Sequence, residues 1–162
     1  VLLSTSASDN QALSKVDFYA GDTLLGTDNT APYELDWDTT SLADGNVSLS
    51  TRAYDLAGNV ASSSVLFVAV DNTAPTVAIT SPANGSSAFL LATVKANAAD
   101  NTGVTQVVFY DGETVLGTDT TAPYSVTWGL LGVAKGWHTL TAKAFDAAGN
   151  LTTSVPISVK VN

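Results

Sequence analysis

Apolar and polar residues alternate along most of this chain. In "GWHTLTAKAFD", one set of alternate positions holds Leu140, Ala142 and Ala144. The other set holds Trp137, Thr139, Thr141, Lys143 and Phe145. A period of two sends successive side chains to opposite faces of a strand. An earlier stretch repeats the pattern, with Val47, Leu49 and Ala53 on one face and Ser48, Ser50, Arg52 and Tyr54 on the other. "VVFYDG" predicts Val107 and Phe109 inward, Val108 and Tyr110 outward. No stretch sustains a helical period. Turn signals such as "YDGE", "NTAP", "AGN" and "ADG" recur at intervals of about 8–12 residues, the spacing of a β-sandwich.

The pattern is written twice. Leu25 to Trp37 reads "LGTDNTAPYELDW" and Leu116 to Trp128 reads "LGTDTTAPYSVTW", with nine of thirteen positions identical. One offset of 91 extends the match without a gap. It carries Asp9-Asn10 onto Asp100-Asn101, "VDFYAG" onto "VVFYDG", and "AYDLAGN" onto "AFDAAGN". The duplication is therefore of a whole module. Residues 1–71 form module 1, 72–75 a linker and 76–162 module 2. For module 2 the pattern predicts seven strands, at about 76–80, 90–98, 104–110, 114–119, 124–128, 137–146 and 151–161. The expected fold class is all-β: two tandem immunoglobulin/fibronectin-III-like β-sandwiches.

The copies differ at one end. Pro75 to Leu91, "PTVAITSPANGSSAFLL", precedes Ala92, the residue that aligns with Val1. It reads as a strand, a Ser-Pro and Asn-Gly turn region, and the start of another strand. Module 1 is thus expected to lack its N-terminal strand. Val1 to Thr5 should expose an unpaired edge, a template for strand addition or a swapped contact.

Composition narrows the function classes. Asp and Glu outnumber Lys and Arg by 15 to 6, for a net charge of −9. Such a surface repels phosphate backbones, so no nucleic-acid partner is expected. There is no cysteine, which removes disulfides, thiol catalysis and thiolate metal binding. No apolar run approaches the roughly 20 residues of a membrane span, and none resembles a signal peptide. The chain starts at Val1 rather than Met, and is read as an excerpt from a longer one.

The combined motif "VxFYxGxxxLGTDxTAPYxxxW…G…LxxxAxDxAGN" resembles the bacterial Ig-like modules found in tandem in secreted glycoside hydrolases, chitinases and large surface adhesins. "DNTAPT" resembles the joints between such modules. The resemblance implies a non-catalytic spacer, stalk or accessory module of a secreted or cell-surface bacterial protein. Its partners would be neighbouring domains of the same parent chain. The alternatives are a carbohydrate-binding accessory module that meets polysaccharide, and an adhesin stalk segment stiffened by calcium.

The candidate sites follow. In "LGTDxTAPYxxxW", Gly26 and Gly117 are expected to suit a tight backbone at a strand end. Pro32 and Pro123 should take the chain to the other sheet. Tyr33, Leu35, Trp37 and Tyr124, Val126, Trp128 share an inward phase, which reads as core. Asp71, Asn72, Asp100, Asn101 and Asp146 are expected where the linker meets two loops of module 2, as an oxygen-rich site for Ca²⁺. Without an ion they read as turn caps. Asp9, Asn10 and Asp55 are the matching half-site of module 1. Tyr110 and Trp137 are outward aromatics of neighbouring strands, able to stack on sugar rings; Asn46 replaces Trp137 in module 1. Catalysis has little support. The single histidine, His138, falls on an inward phase opposite Val47 of the other copy, which predicts a buried, neutral ring. Glu34 and Glu113 occupy non-equivalent positions.

Overall fold

The computed structural model describes residues 1–162 and is all-β. It divides into two compact units, Val1–Asn72 and Thr73–Asn162. The first holds β1 (Leu2–Thr5), β2 (Leu13–Ala20), β3 (Thr23–Asp28), β4 (Tyr33–Asp36), β5 (Gly45–Asp55), β6 (Val60–Ser62) and β7 (Leu66–Val70). The second holds β8 (Thr76–Ser81), β9 (Ser87–Ala88), β10 (Leu91–Ala99), β11 (Gln106–Asp111), β12 (Thr114–Asp119), β13 (Ser125–Gly129), β14 (Gly136–Phe145), β15 (Leu151–Thr153) and β16 (Ile157–Val161). There is no helix, hence none long and apolar enough to cross a membrane.

Each unit is a sandwich of two sheets. In the second unit one sheet runs β13-β10-β8 and the other β12-β11-β14-β16-β9, with β15 also on β14. The first unit repeats this with β1-β4 facing β3-β2-β5-β6, and β7 on β5. Within residues 1–72 no strand takes the places of β8 and β9. In the second unit the expected inward positions are the buried ones. Val107, Phe109, Leu140, Ala142 and Ala144 are completely buried.

Two expectations about strands need correction. The stretch 151–161 is not one strand but β15 and β16, separated at Ser154. The cause is a side chain that occupies a ladder position. Ser154 N–H donates to the Ala142 carbonyl at 2.8 Å, and its Oγ accepts from the Ala142 N–H at 3.0 Å. Ser63 does the same to Thr51 in the first unit, at 2.9 and 3.0 Å. The second correction is β9. This two-residue strand inside the expected turn region pairs parallel with β16.

The repeated "LGTD" motif also has a different physical basis. Neither Gly26 nor Gly117 takes a positive φ. A Cβ on Gly26 would lie 2.6 Å from Leu35 Cδ1, and one on Gly117 would lie 3.0 Å from Val126 Cγ1. The glycines make room for side chains of the facing sheet; they do not tighten the backbone.

Candidate functional site

The acidic loops of the second unit are built from local backbone geometry. Asp100 follows β10, and its Oδ2 accepts from Thr102 N–H at 2.9 Å, Thr102 Oγ1 at 3.0 Å and Gly103 N–H at 3.0 Å. These bonds, Thr102 N–H foremost, hold its carboxyl below the usual Asp range. Its other oxygen, Oδ1, is shielded from solvent and has no hydrogen-bond partner. Asp146 follows β14 and is buried. Its Oδ1 accepts from Gly149 N–H at 2.7 Å and Asn150 N–H at 2.8 Å, and its Oδ2 from the Asn150 amide at 2.8 Å. That amide also lies 3.4 Å from the Thr73 carbonyl. Carboxylate oxygens of Asp100 and Asp146 come within 4.8 Å of each other. The loop after β10 and the loop after β14 therefore face one another, carrying two carboxylates. Asn101 lies exposed in the first of these loops.

Asp71 and Asn72 end the first unit. Asp71 is half-buried. The side-chain amide of Asn72 donates to the Thr39 and Leu42 carbonyls at 2.7 and 3.0 Å, and its N–H donates to Asp44 Oδ1 at 2.6 Å. The first unit repeats the loop pair with Asp9 and Asp55. Asp55 accepts from Asn59 N–H at 2.7 Å and the Asn59 amide at 2.6 Å. Asp9 accepts from Gln11 N–H at 3.0 Å. The Asp55 carboxyl is held low, first by the Asn59 side chain.

The outer sheet face of the second unit carries the aromatic candidates. Trp137 is 63% exposed on β14. Tyr110 pairs opposite Thr141 on that strand. Four residues along β14 thus separate the two rings, roughly 13 Å. The Lys143 ammonium lies 5.1 Å over the Tyr110 ring. The equivalent face of the first unit is charged. Arg52 covers Tyr19 at 4.6 Å and Lys15 covers Tyr54 at 4.3 Å. Asp17 is buried beneath them, bonded by Lys15 Nζ at 2.8 Å and Thr27 Oγ1 at 2.6 Å. Burial pushes the Asp17 carboxyl up, but the Lys15 and Thr27 bonds outweigh it and hold it low. This network was missed because Asp17 replaces the Val108 of the other copy at an outward position.

His138 points inward as expected but is half-buried, and two acceptors flank its ring. Its Nδ1 lies 2.7 Å from Asp111 Oδ2 and its Nε2 lies 2.8 Å from the Ala134 carbonyl. Carbonyl and carboxylate oxygens only accept, so this arrangement is fully satisfied when both ring nitrogens donate, and it favours the protonated ring. The Ala134 carbonyl, ahead of Asp111, raises its pKa against the opposing effect of burial. Its edge meets Trp128, with centroids 5.6 Å apart. Asp111 falls in a hairpin turn signal of the sequence, which gives no sign that it pairs with His138.

The remaining positions of the repeated motif are scaffold. Tyr33, Trp37, Tyr124 and Trp128 are buried. Asp28 Oδ1 accepts from Thr30 N–H at 3.0 Å and its Oδ2 from Glu34 N–H at 2.8 Å. Asp119 accepts in the same way from Thr121 and Ser125, at 3.0 and 2.9 Å. Each Asp ties both ends of the crossover to the strand before it.

Comparison with known proteins agrees with this geometry. A model of the bacterial Ig domain matches residues 1–51 and 75–142. Exoglucanase B of Cellulomonas fimi is 29% identical over 167 residues, covering 96% of this chain. The chain spans only 15% of that protein. The structure of the fibronectin(III)-like modules of Clostridium thermocellum CbhA is 31% identical. It matches with a TM-score of 0.66 over 99% of this chain and 83% of that one.

Proposed function

We propose that this chain, which belongs to the bacterial Ig domain family, is a non-catalytic pair of scaffold modules in a larger secreted or cell-surface bacterial protein. Its role there is to space and present neighbouring domains. One observation carries this reading. The side chains written twice are spent on the fold itself: the crossover clamp of Asp28 and Asp119, the close-packed Gly26 and Gly117, and the buried Tyr and Trp pairs. The likeness to modules of CbhA and to part of an exoglucanase supports a parent enzyme acting on polysaccharide. The test is retention of the 162-residue protein on insoluble cellulose, xylan and chitin. The spacer reading expects none. Retention that is lost in Trp137→Ala would replace it with the accessory-module reading, which the exposure of Trp137 favours. In that reading Tyr110 is the secondary contact.

A calcium site is the other reading with a specific observation behind it. Asp100 keeps a shielded, unpartnered carboxylate oxygen beside Asp146, and Ca²⁺ is bound by such oxygens. We propose Asp100 and Asp146 as ligands, with Asn101 beside them and Asp71 and Asn72 from the preceding segment. An unchanged melting temperature on going from EDTA to millimolar Ca²⁺ would eliminate this site.

A further inference from the structure

One sheet face of the second unit carries a charge pattern opposite to that of the whole chain. Residues 73–162 hold four of the six basic residues and only five of the fifteen acidic ones. None of those five stands at an outward position of β11, β14 or β16. Asp111 pairs with His138. Asp100 and Asp146 cap the loops after β10 and β14. Asp119 clamps the crossover, and Glu113 lies in the turn between β11 and β12.

The strand register gives what that face holds instead. Trp137, Thr139, Thr141 and Lys143 take the outward positions of β14. Lys160 of β16 stands opposite Trp137, and Ser158 opposite Thr139. Tyr110 of β11 stands opposite Thr141, with the Lys143 ammonium over its ring. Trp137, Thr139, Ser158 and Lys160 are exposed. The face is therefore a strip along β14. Each end has one aromatic ring and one lysine, and hydroxyl groups fill the middle. The first unit copies one end only. Tyr19 with Arg52 repeats Tyr110 with Lys143, but Asn46 and Ala69 stand where Trp137 and Lys160 do. Asp17, in the place of Val108, neutralises Lys15 there.

We propose that this strip binds a linear polysaccharide carrying uronate carboxylates, laid along β14. Trp137 stacks on the apolar C–H face of one sugar ring. Thr139, Thr141 and Ser158 exchange hydrogen bonds with sugar hydroxyls. Lys160 and Lys143 meet carboxylates. A neutral glycan would leave both lysines unused. An extended acidic peptide would suit the lysines, but such peptides dock on sheet edges rather than on a sheet face. The net charge of −9 opposes a polyanion. At 0.1 M salt, however, a charge acts over only about 10 Å, so the carboxylate-free face decides. Such a strip deepens the accessory-module reading of Trp137 and Tyr110, on which it rests, by naming the substrate class.

The probe is sodium polygalacturonate, titrated into the 162-residue protein by calorimetry in EDTA, which prevents calcium from bridging the polymer to the acidic loops. Binding is expected, and it weakens severalfold between about 50 and 200 mM NaCl. Trp137→Ala weakens it roughly tenfold and Lys160→Glu about fivefold. Both side chains are exposed, so the fold survives either change. Asn46→Ala, at the equivalent position of the first unit, changes nothing. Absence of binding overturns the proposal. So does equal binding of the fully methyl-esterified polymer or of poly-glutamate. Retention on neutral polysaccharide that depends on Trp137, with no gain from carboxylates, keeps the accessory-module reading and removes this one. Binding of polygalacturonate while cellulose and chitin retain nothing establishes the substrate class.

Discussion

The two copies of the repeat share their inward residues but not their core. In the second unit thirteen buried residues form one cluster. In the first, Val16, Phe18 and Tyr33 form one small cluster and Trp37, Leu49 and Val70 another. Val159 is completely buried, yet the same residue type at Val68 is only half-buried. Residue identity is therefore not what completes the core. The segment holding β8 and β9 completes it, by joining the edges of two sheets and excluding water from what lies between.

Paired substitutions at equivalent positions sharpen this contrast. The largest effect is expected at the phenylalanines. Phe109→Ala should cost about 3–5 kcal/mol, as for a large side chain removed from a closed core. Phe18 lines an open groove, so Phe18→Ala should cost about 1 kcal/mol less or better, because water and neighbours can enter the space. Denaturant titration with the two transitions resolved reads both values. Equal costs would mean that the groove is closed in solution. Next come the crossover clamps, where the modules are alike. Asp28→Ala and Asp119→Ala should each lower the melting temperature of their own unit by a few degrees, and by similar amounts, since the lost bonds are the same. Unequal shifts would show that the clamp depends on the missing strand.

The smallest effect is a pH dependence found in one unit alone. His138 has a raised pKa in the folded state. Its pairing is fully present below the ordinary value near 6.5 and is lost as pH rises through the folded-state value. The second unit should lose about 0.5–1 kcal/mol across that window. The first unit, with Val47 at this position, should lose nothing there. His138→Val should abolish the difference, as read from melting temperatures between pH 6 and 8.

Much of the fold could be read from the chain because alternation and duplication are statements about strands. Leu140, Ala142 and Ala144 were legible as core from their period alone, and the absent first strand was legible from the offset. What escaped depends on contacts between residues distant in sequence. The raised pKa of His138 needs the Ala134 carbonyl and Asp111, 27 residues away. The room made by Gly26 needs Leu35 on the facing sheet. The Asn72 amide is engaged by Thr39 and Leu42, more than 25 residues back. β9 is two residues long and parallel to its partner, too short to carry a period. Of the candidate sites, the sequence indicated the acidic loops and the exposed Trp137. It could not show that Asp100 keeps one carboxylate oxygen shielded and unpartnered.

Hydrogen exchange at one pair of amides tests the contrast most directly. Lys160 and Ala69 are equivalent, each opposite its own partner in the neighbouring strand, Trp137 and Asn46. The Lys160 N–H donates across the other edge to Ser86 at 2.9 Å, whereas the matching edge of β7 has no strand beside it. Lys160 should exchange orders of magnitude more slowly than Ala69 in the native protein. Equal protection of the two amides would contradict the account of one closed and one open module.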